Sequence, residues 1–259
     1  MSSVTEDTLC VFGCDFDDFL LFPHMKKILI TVVLALMTVQ AFAQGGFDRS
    51  TYDWGKFGYY EAANQALTQA PDVVFMGDSI TEFWFRQHPD FFTSNNFAGR
   101  GISGQCSTQM LCRFQRDVVA LNPKVVVINC GTNDIAGNNG KISHSDVVDI
   151  IKSMCDIAKC HGITPVLTSV LPCNHFFWNP EARPAEDIMA LNILIREYAD
   201  VQGLLYVDYH SAMTDATGAL PKIYSEDGCH PVSAGYDKME EIILPFIRKA
   251  LDKSHNLIR

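Results

Sequence analysis

From about residue 70 onward, short unbroken apolar runs alternate with longer stretches whose apolar residues recur at helical spacing. Val73-Val74-Phe75-Met76, Val125-Val126-Val127-Ile128 and Pro165-Val166-Leu167-Thr168 are continuous and mostly β-branched, the pattern of strands covered on both faces. Leu204-Leu205-Tyr206-Val207 makes a fourth run, and Asn96-Phe97-Ala98 a short fifth. Between them Val147, Ile150, Ile151, Met154 and Ile157 share one helical face before His161-Gly162 ends the turn. Ile188, Leu191, Ile195 and Tyr198 share another after Pro184, and Met239, Ile242, Ile243, Phe246 and Ile247 mark a C-terminal helix. Strand and helix alternating in this way predict an α/β fold: a parallel sheet of about five strands with helices on both faces and right-handed crossovers. No linker rich in Pro, Gly or Ser divides residues 44–259, so they read as a single domain.

The N-terminal stretch reads as an address and not as structure. Met25-Lys26-Lys27 is followed by an almost wholly apolar run from Ile28 to Val39, and Ala41-Phe42-Ala43 before Gln44 has the small-x-small pattern of a signal-peptidase site. Residues 25–43 are therefore expected to be a cleavable secretion signal ending near Ala43, with a secreted or periplasmic product. The apolar run is too short to span a bilayer, so no stable membrane anchor is expected. Residues 1–24 read as a mis-assigned start, since Met25 begins a complete signal by itself; a genuine acidic leader is the alternative.

Composition narrows the function classes. With 259 residues, 47% of them apolar and 19% charged, the chain can fill a real core, which excludes disordered and collagen-like classes. Lys+Arg 20 against Asp+Glu 30 gives −10, the wrong sign for a protein that neutralises phosphates, so nucleic acid is not expected as a partner. Nine cysteines become an odd seven once Cys10 and Cys14 leave with the leader, and no disulfide framework is readable. Most of the seven read as small core residues. No CxxC pair or His-x-x-x-His spacing occurs, so neither metal nor other cofactor is expected.

In parallel sheets, function gathers where strands end at their carboxyl edge, and the unusual residues lie there. The first strand runs into Gly77-Asp78-Ser79-Ile80-Thr81. A serine at such a turn can expose its hydroxyl and set its own N–H at a helix N-terminus, where developing negative charge is stabilised. The central strand ends in Asn129-Cys130-Gly131-Thr132-Asn133-Asp134, from which Asn133 can donate its amide to an oxyanion. Gly99-Arg100-Gly101-Ile102-Ser103-Gly104 follows the short strand, and Gly104 can present a bare N–H beside the same point. Near the C-terminus, Asp227-Gly228-Cys229-His230-Pro231 allows the Asp227 carboxylate to fold back onto the His230 imidazole while its other nitrogen faces a hydroxyl. Each segment alone is compatible with an ordinary turn; all four at one sheet edge are not an ordinary coincidence.

Together these segments resemble the blocks of the SGNH (GDSL-type) hydrolase superfamily, across essentially residues 70–252. Gly77-Asp78-Ser79-Ile80 stands for the nucleophile block, Gly101-Ile102-Ser103-Gly104 for the glycine block, Gly131-Thr132-Asn133-Asp134 for the asparagine block, and Asp227 to Pro231 for the acid and base block. Within the superfamily the chain is most similar to secreted bacterial acylhydrolases related to platelet-activating-factor acetylhydrolase subunits. The resemblance implies a flavodoxin-like three-layer sandwich, with Ser79 as nucleophile, His230 as base, Asp227 as its orienter, and an oxyanion hole from Ser79, Gly104 and Asn133.

The substrate expected is a short-chain carboxylic ester, O-acetyl groups of glycans foremost, with lysophospholipids or thioesters as the lipid alternative. A non-catalytic carbohydrate-binding module on the same scaffold is the alternative of another class. Phe176, Phe177 and Trp178, in the loop Leu171–Arg183, are candidates for an aromatic substrate wall, the loop being the only sizeable one expected. Arg100 and Arg113 read as solvated surface.

Overall fold

The computed structural model describes residues 53–257. The expected leader and signal, residues 1–43, lie outside them. From Asp53 on, the chain forms one compact unit.

A short helix α1 (Glu61–Gln65) precedes strand β1 (Val73–Gly77), helices α2 (Ser79–Gln87) and α3 (Pro89–Thr93), and β2 (Phe97–Gly101). Then follow α4 (Ser107–Asp117), β3 (Val125–Ile128), α5 (Thr132–Ile135), α6 (His144–Cys160) and β4 (Thr164–Thr168). The chain ends with α7 (Pro184–Gln202), β5 (Leu205–Val207), α8 (Tyr209–Met213) and α9 (Ser233–Leu257). The five strands pair in parallel in the order β2-β1-β3-β4-β5. Every strand expected from the apolar runs is present, β2 running further than expected, through Arg100 to Gly101.

The period-two alternation of the strands separates two cores. Val74, Met76, Val126, Ile128 and Leu167 face one side, under Met110 and Phe114 of α4, Ile151 and Met154 of α6 and Leu191 and Ile195 of α7. Val73, Phe75, Val125, Val127 and Val166 face the other, against Trp84 of α2, Phe92 of α3 and Tyr236, Met239 and Ile243 of α9. The result is the expected three-layer sandwich. Ser143 caps α6 by accepting from the Asp146 N–H, and Gly203 in the left-handed region ends α7, so the long helices start and stop where the chain supplies the chemistry to do so.

From β1 the chain moves outward to β2, then crosses back over β1 to β3. That reversal splits the loops after β1 and β3 to opposite sides and leaves a crevice between them at the carboxyl edge. The crevice can form because β2 ends in glycine: a Cβ on Gly101 would lie 2.2 Å from the Glu82 nitrogen and 2.6 Å from the Asp78 carbonyl oxygen, both backbone atoms that have no room to retreat. Gly101→Ala should therefore cost about 1–3 kcal/mol of stability, measured by urea denaturation; an unchanged midpoint would contradict the close approach.

Candidate active site

Ser79 occupies the first position of α2, immediately after the edge of β1, and is 7% exposed. Asp78 caps that helix: its Oδ1 accepts the Ile80 N–H at 3.0 Å. Ser79 thus has its hydroxyl at the crevice and its N–H among the unpaired donors of a helix N-terminus.

The imidazole beside Ser79 arrives from the far end of the chain. The segment between α8 and α9 carries Asp227 and His230, with Pro231 shortly before α9 begins. His230 Nε2 lies 3.0 Å from Ser79 Oγ, and its Nδ1 lies 2.7 Å from Asp227 Oδ2. Asp227 Oδ1 accepts the Cys229 and His230 N–H groups at 2.9 and 2.7 Å and the Ser225 hydroxyl at 3.0 Å. Burial pulls the Asp227 carboxyl upward, but the His230 N–H and imidazole and the Cys229 N–H outweigh it and hold it at about 2. A fixed carboxylate, an imidazole and a serine hydroxyl in one hydrogen-bonded line can move a proton off the serine and stabilise the cation that results.

Gly104 adopts φ +78°, a left-handed turn with open space around it. The turn is held by Glu82 on α2, whose Oε2 accepts the Ser103 N–H at 2.7 Å and the Ser103 hydroxyl. Tyr59 and Arg86 occupy its other oxygen. Beneath the site Arg113, with no solvent exposure, donates to the Gly77 carbonyl at 3.0 Å, to Gln105 Oε1 at 2.6 Å and to Asp117 at 3.0 Å. Arg113 is thus a buried brace, and Arg100 is buried too, donating to Asn64 Oδ1 and the Gly99 carbonyl. Neither is the solvated side chain expected from the sequence, because Asn64 and Gly77, each 36 residues away, draw them into the interior.

Asn133 is buried at the start of α5, across the crevice from Ser79's helix. Its Nδ2 donates to Asp78 Oδ2 at 3.2 Å and to the Gln105 carbonyl at 3.1 Å, and its Oδ1 accepts from Asn138 at 2.6 Å. An oxyanion would have to draw one of these two donations to itself. Asn138 in turn accepts the Trp178 indole N–H at 3.1 Å, so one polar thread runs from Asp78 to the aromatic loop.

That loop divides its three aromatic residues. Phe177 is 65% exposed and Trp178 is half-buried, their rings 6.5 and 5.8 Å from the His230 ring. Phe176 is a correction to the sequence expectation: it has no exposure, lies in the core on the α4, α6 and α7 side and stacks under Trp178 at 4.8 Å, so it cannot touch substrate. Phe83, which the sequence did not single out, takes its place at 5.6 Å from the His230 ring. The connection over residues 214–232 is longer than the aromatic loop, so the latter is not the only sizeable segment near the site.

Five of the seven described cysteines are buried, and Cys112 and Cys160 are exposed. His88, Asp237 and Glu240 bring ligand-type atoms within 4.8 Å of one another and could hold a cation. Chain spacing hid this group, since His88 and Glu240 are remote in sequence. Both His88 nitrogens already have partners, Glu240 at 2.7 Å and the Ser233 hydroxyl at 2.8 Å, and none of its members belongs to the Ser79 line.

Residues 75–238 match the GDSL-like Lipase/Acylhydrolase family, a span that contains all four blocks. A solved structure of a GDSL-like lipase from Bacteroides thetaiotaomicron is 44% identical with a TM-score of 0.74, covering 76% of this chain and all of that one. Among curated proteins, N-acylneuraminate cytidylyltransferase of Escherichia coli is 26% identical over 179 residues, which is 68% of this chain and 40% of that protein. Platelet-activating factor acetylhydrolase IB subunit beta homolog of Drosophila melanogaster is 25% identical over 104 residues, 38% of this chain and 44% of that protein. The chain spans less than half the length of these two curated relatives.

Asp78 has the electrostatic environment opposite to that of Asp227. With no solvent exposure, its carboxyl is raised by burial from its ordinary 3.8 to about 6, against the pull of the Ile80 N–H and the His230 imidazole. An acid raised in the folded state contributes stability below its unfolded pKa that is lost as pH rises through the folded one, here between about 4 and about 6. The loss is about 3 kcal/mol. Asp78→Asn keeps the cap acceptor and removes the ionisation, so its Tm relative to wild type should be higher at pH 8 than at pH 4.5. Parallel Tm curves across that range would show that Asp78 is not the group responsible.

Proposed function

This chain belongs to the GDSL-like lipase/acylhydrolase family, and we propose that it is a secreted serine esterase that removes short acyl groups, acetyl foremost, from O-acylated glycans. The observation that carries the enzymatic reading is the unbroken line from Ser79 Oγ through His230 to Asp227 at 3.0 and 2.7 Å. A binding module has no use for a serine held against an imidazole and a carboxylate.

In this reading His230 Nε2 takes the Ser79 proton as Oγ attacks the ester carbonyl. Asp227 holds the imidazole through Nδ1 and stabilises its charge. The oxyanion is met by the Ser79 N–H, the Gly104 N–H and the Asn133 amide. His230 returns the proton to the leaving alcohol, and water then clears the acyl-enzyme by the same route. Phe177 and Trp178, partly exposed beside His230, offer the flat apolar face on which a sugar ring can lie. Secretion is supported by the Met25 to Ala43 pattern in the sequence.

Three outcomes test this. Fluorophosphonate labelling of the full chain should be lost in Ser79→Ala and retained in the exposed-cysteine variant Cys160→Ala; labelling that survives in Ser79→Ala would remove the nucleophile assignment. Asn133→Ala should lower kcat on acetyl esters by about 10²–10³ with KM little changed, whereas a loss confined to KM would make Asn133 a substrate contact only. On nitrophenyl esters kcat/KM should peak at acetyl or butyryl and fall by octanoyl, because each further CH₂ needs apolar cover to gain its ~0.8 kcal/mol. A steady climb to decanoyl would favour a lipid substrate.

A further inference from the structure

The aromatic loop and the catalytic loop meet at two cysteines. Cys173 opens the segment that carries Phe177 and Trp178, and Cys229 precedes the base His230. Both are buried, at 1% and 2% exposure, in the same apolar core. The Cys173 S–H donates to the His175 carbonyl oxygen at 2.9 Å, and the Cys173 and Cys229 thiols are near enough that each shifts the acidity of the other. The surrounding backbone is equally close: a Cβ on Gly228 would lie 3.3 Å from the His175 ring. The two cysteines therefore lie in one core, where the two loops come together.

We propose that Cys173 and Cys229 are a disulfide site, closed when the chain folds in an oxidising compartment, and that the bond fastens the aromatic wall to the loop that carries the catalytic base. The proposal rests on the contact between the two loops and does not need the substrate assigned above. The Cys229 thiol lowers the Cys173 pKa by its hydrogen bond, while that same bond and burial raise its own. Before the loops pack, either sulfur can attack and the other then resolve, with the same bonds made and broken in both orders. The oxidant is a small disulfide of the oxidised-glutathione type. The Cys173 thiolate breaks its S–S bond and releases one thiol, giving a mixed disulfide. Cys229 then attacks Cys173 Sγ, forms the internal bond and releases the second thiol. Two protons and two electrons pass from the protein to the oxidant.

The other described cysteines serve as controls. All seven described cysteines are unbonded in the structure; of the other five, Cys112 and Cys160 are exposed and Cys106, Cys130 and Cys155 are buried. Burial also dictates the time of closure, since neither sulfur of the pair is open to a reagent once the loops have packed.

The test is to refold the full chain with oxidised glutathione or with dithiothreitol, alkylate in denaturant, and map peptides without reduction. The expected result is one linked peptide pair, Cys173 with Cys229, present only after oxidation, and a Tm about 5–10 °C higher than that of the reduced chain. Cys173→Ala and Cys229→Ala should each abolish the linked pair and the oxidant-dependent rise in Tm. If either variant fails to fold, the wild-type peptide map decides alone. Both thiols alkylated after oxidative refolding, or links of Cys173 to any other cysteine, would overturn the proposal.

Discussion

A carboxylate with no access to solvent stands between the two halves of the site. Asp78 gives one oxygen to the Ile80 N–H and the other to the Asn133 amide, and so ties the helix that bears Ser79 to the loop after β3. The sheet topology alone would bring those loops to the same crevice without fixing how far apart they stand. Burying this acid raises its carboxyl to about 6, and the fold accepts that cost because a neutral side chain would hold both partners less firmly. The tie continues from Asn133 through Asn138 to the Trp178 indole, so the position of the aromatic wall also depends on it.

A second layer of polar contacts braces the first. Glu82 receives two donors from Ser103, which sets the backbone on which Gly104 sits. Arg113 gathers the Gly77 carbonyl, Gln105 and Asp117 in one buried fork. A guanidinium so placed would be costly if unpaired, and here three acceptors compensate its desolvation. Because Gln105 also lends its carbonyl to Asn133, the brace beneath β1 and the amide at the crevice share a residue. Loosening either would be felt in the other.

Much of the fold was legible because both faces of the sheet are covered, which turns β3 into the unbroken β-branched run Val125–Ile128 and makes most of β1 and β4 apolar. Ser79, Asn133, Asp227 and His230 were legible for a different reason: turn residues stood at strand ends in an order that a known family shares, and the structure brings Ser79, His230 and Asp227 into one hydrogen-bonded line. What stayed hidden depends on contacts across long stretches of chain. Glu82 reads as an ordinary helical acid until Ser103 and Tyr59 are seen beside it. Phe176 and Phe177 are adjacent and chemically identical, and only the packed core decides that one is interior and the other exposed. Arg113 looked solvated for the same reason, since the Gly77 carbonyl reaches it from β1.

Two aspartates flank the crevice, and their different surroundings assign them different work. Asp227 is held among the His230 imidazole, two backbone N–H groups and a hydroxyl, and sits at about 2 although it is partly buried. It stays anionic wherever the imidazole can act as a base, so it can stabilise a cation at every working pH. Asp78 has two donors and full burial, and sits at about 6. Full burial with few donors raises one, and four donors on a partly exposed carboxylate lower the other. An acid that holds its charge belongs beside the group that gains one during the reaction. An acid whose charge is marginal is better used where geometry is needed, and Asp78 is found there, under the helix of Ser79 and against Asn133.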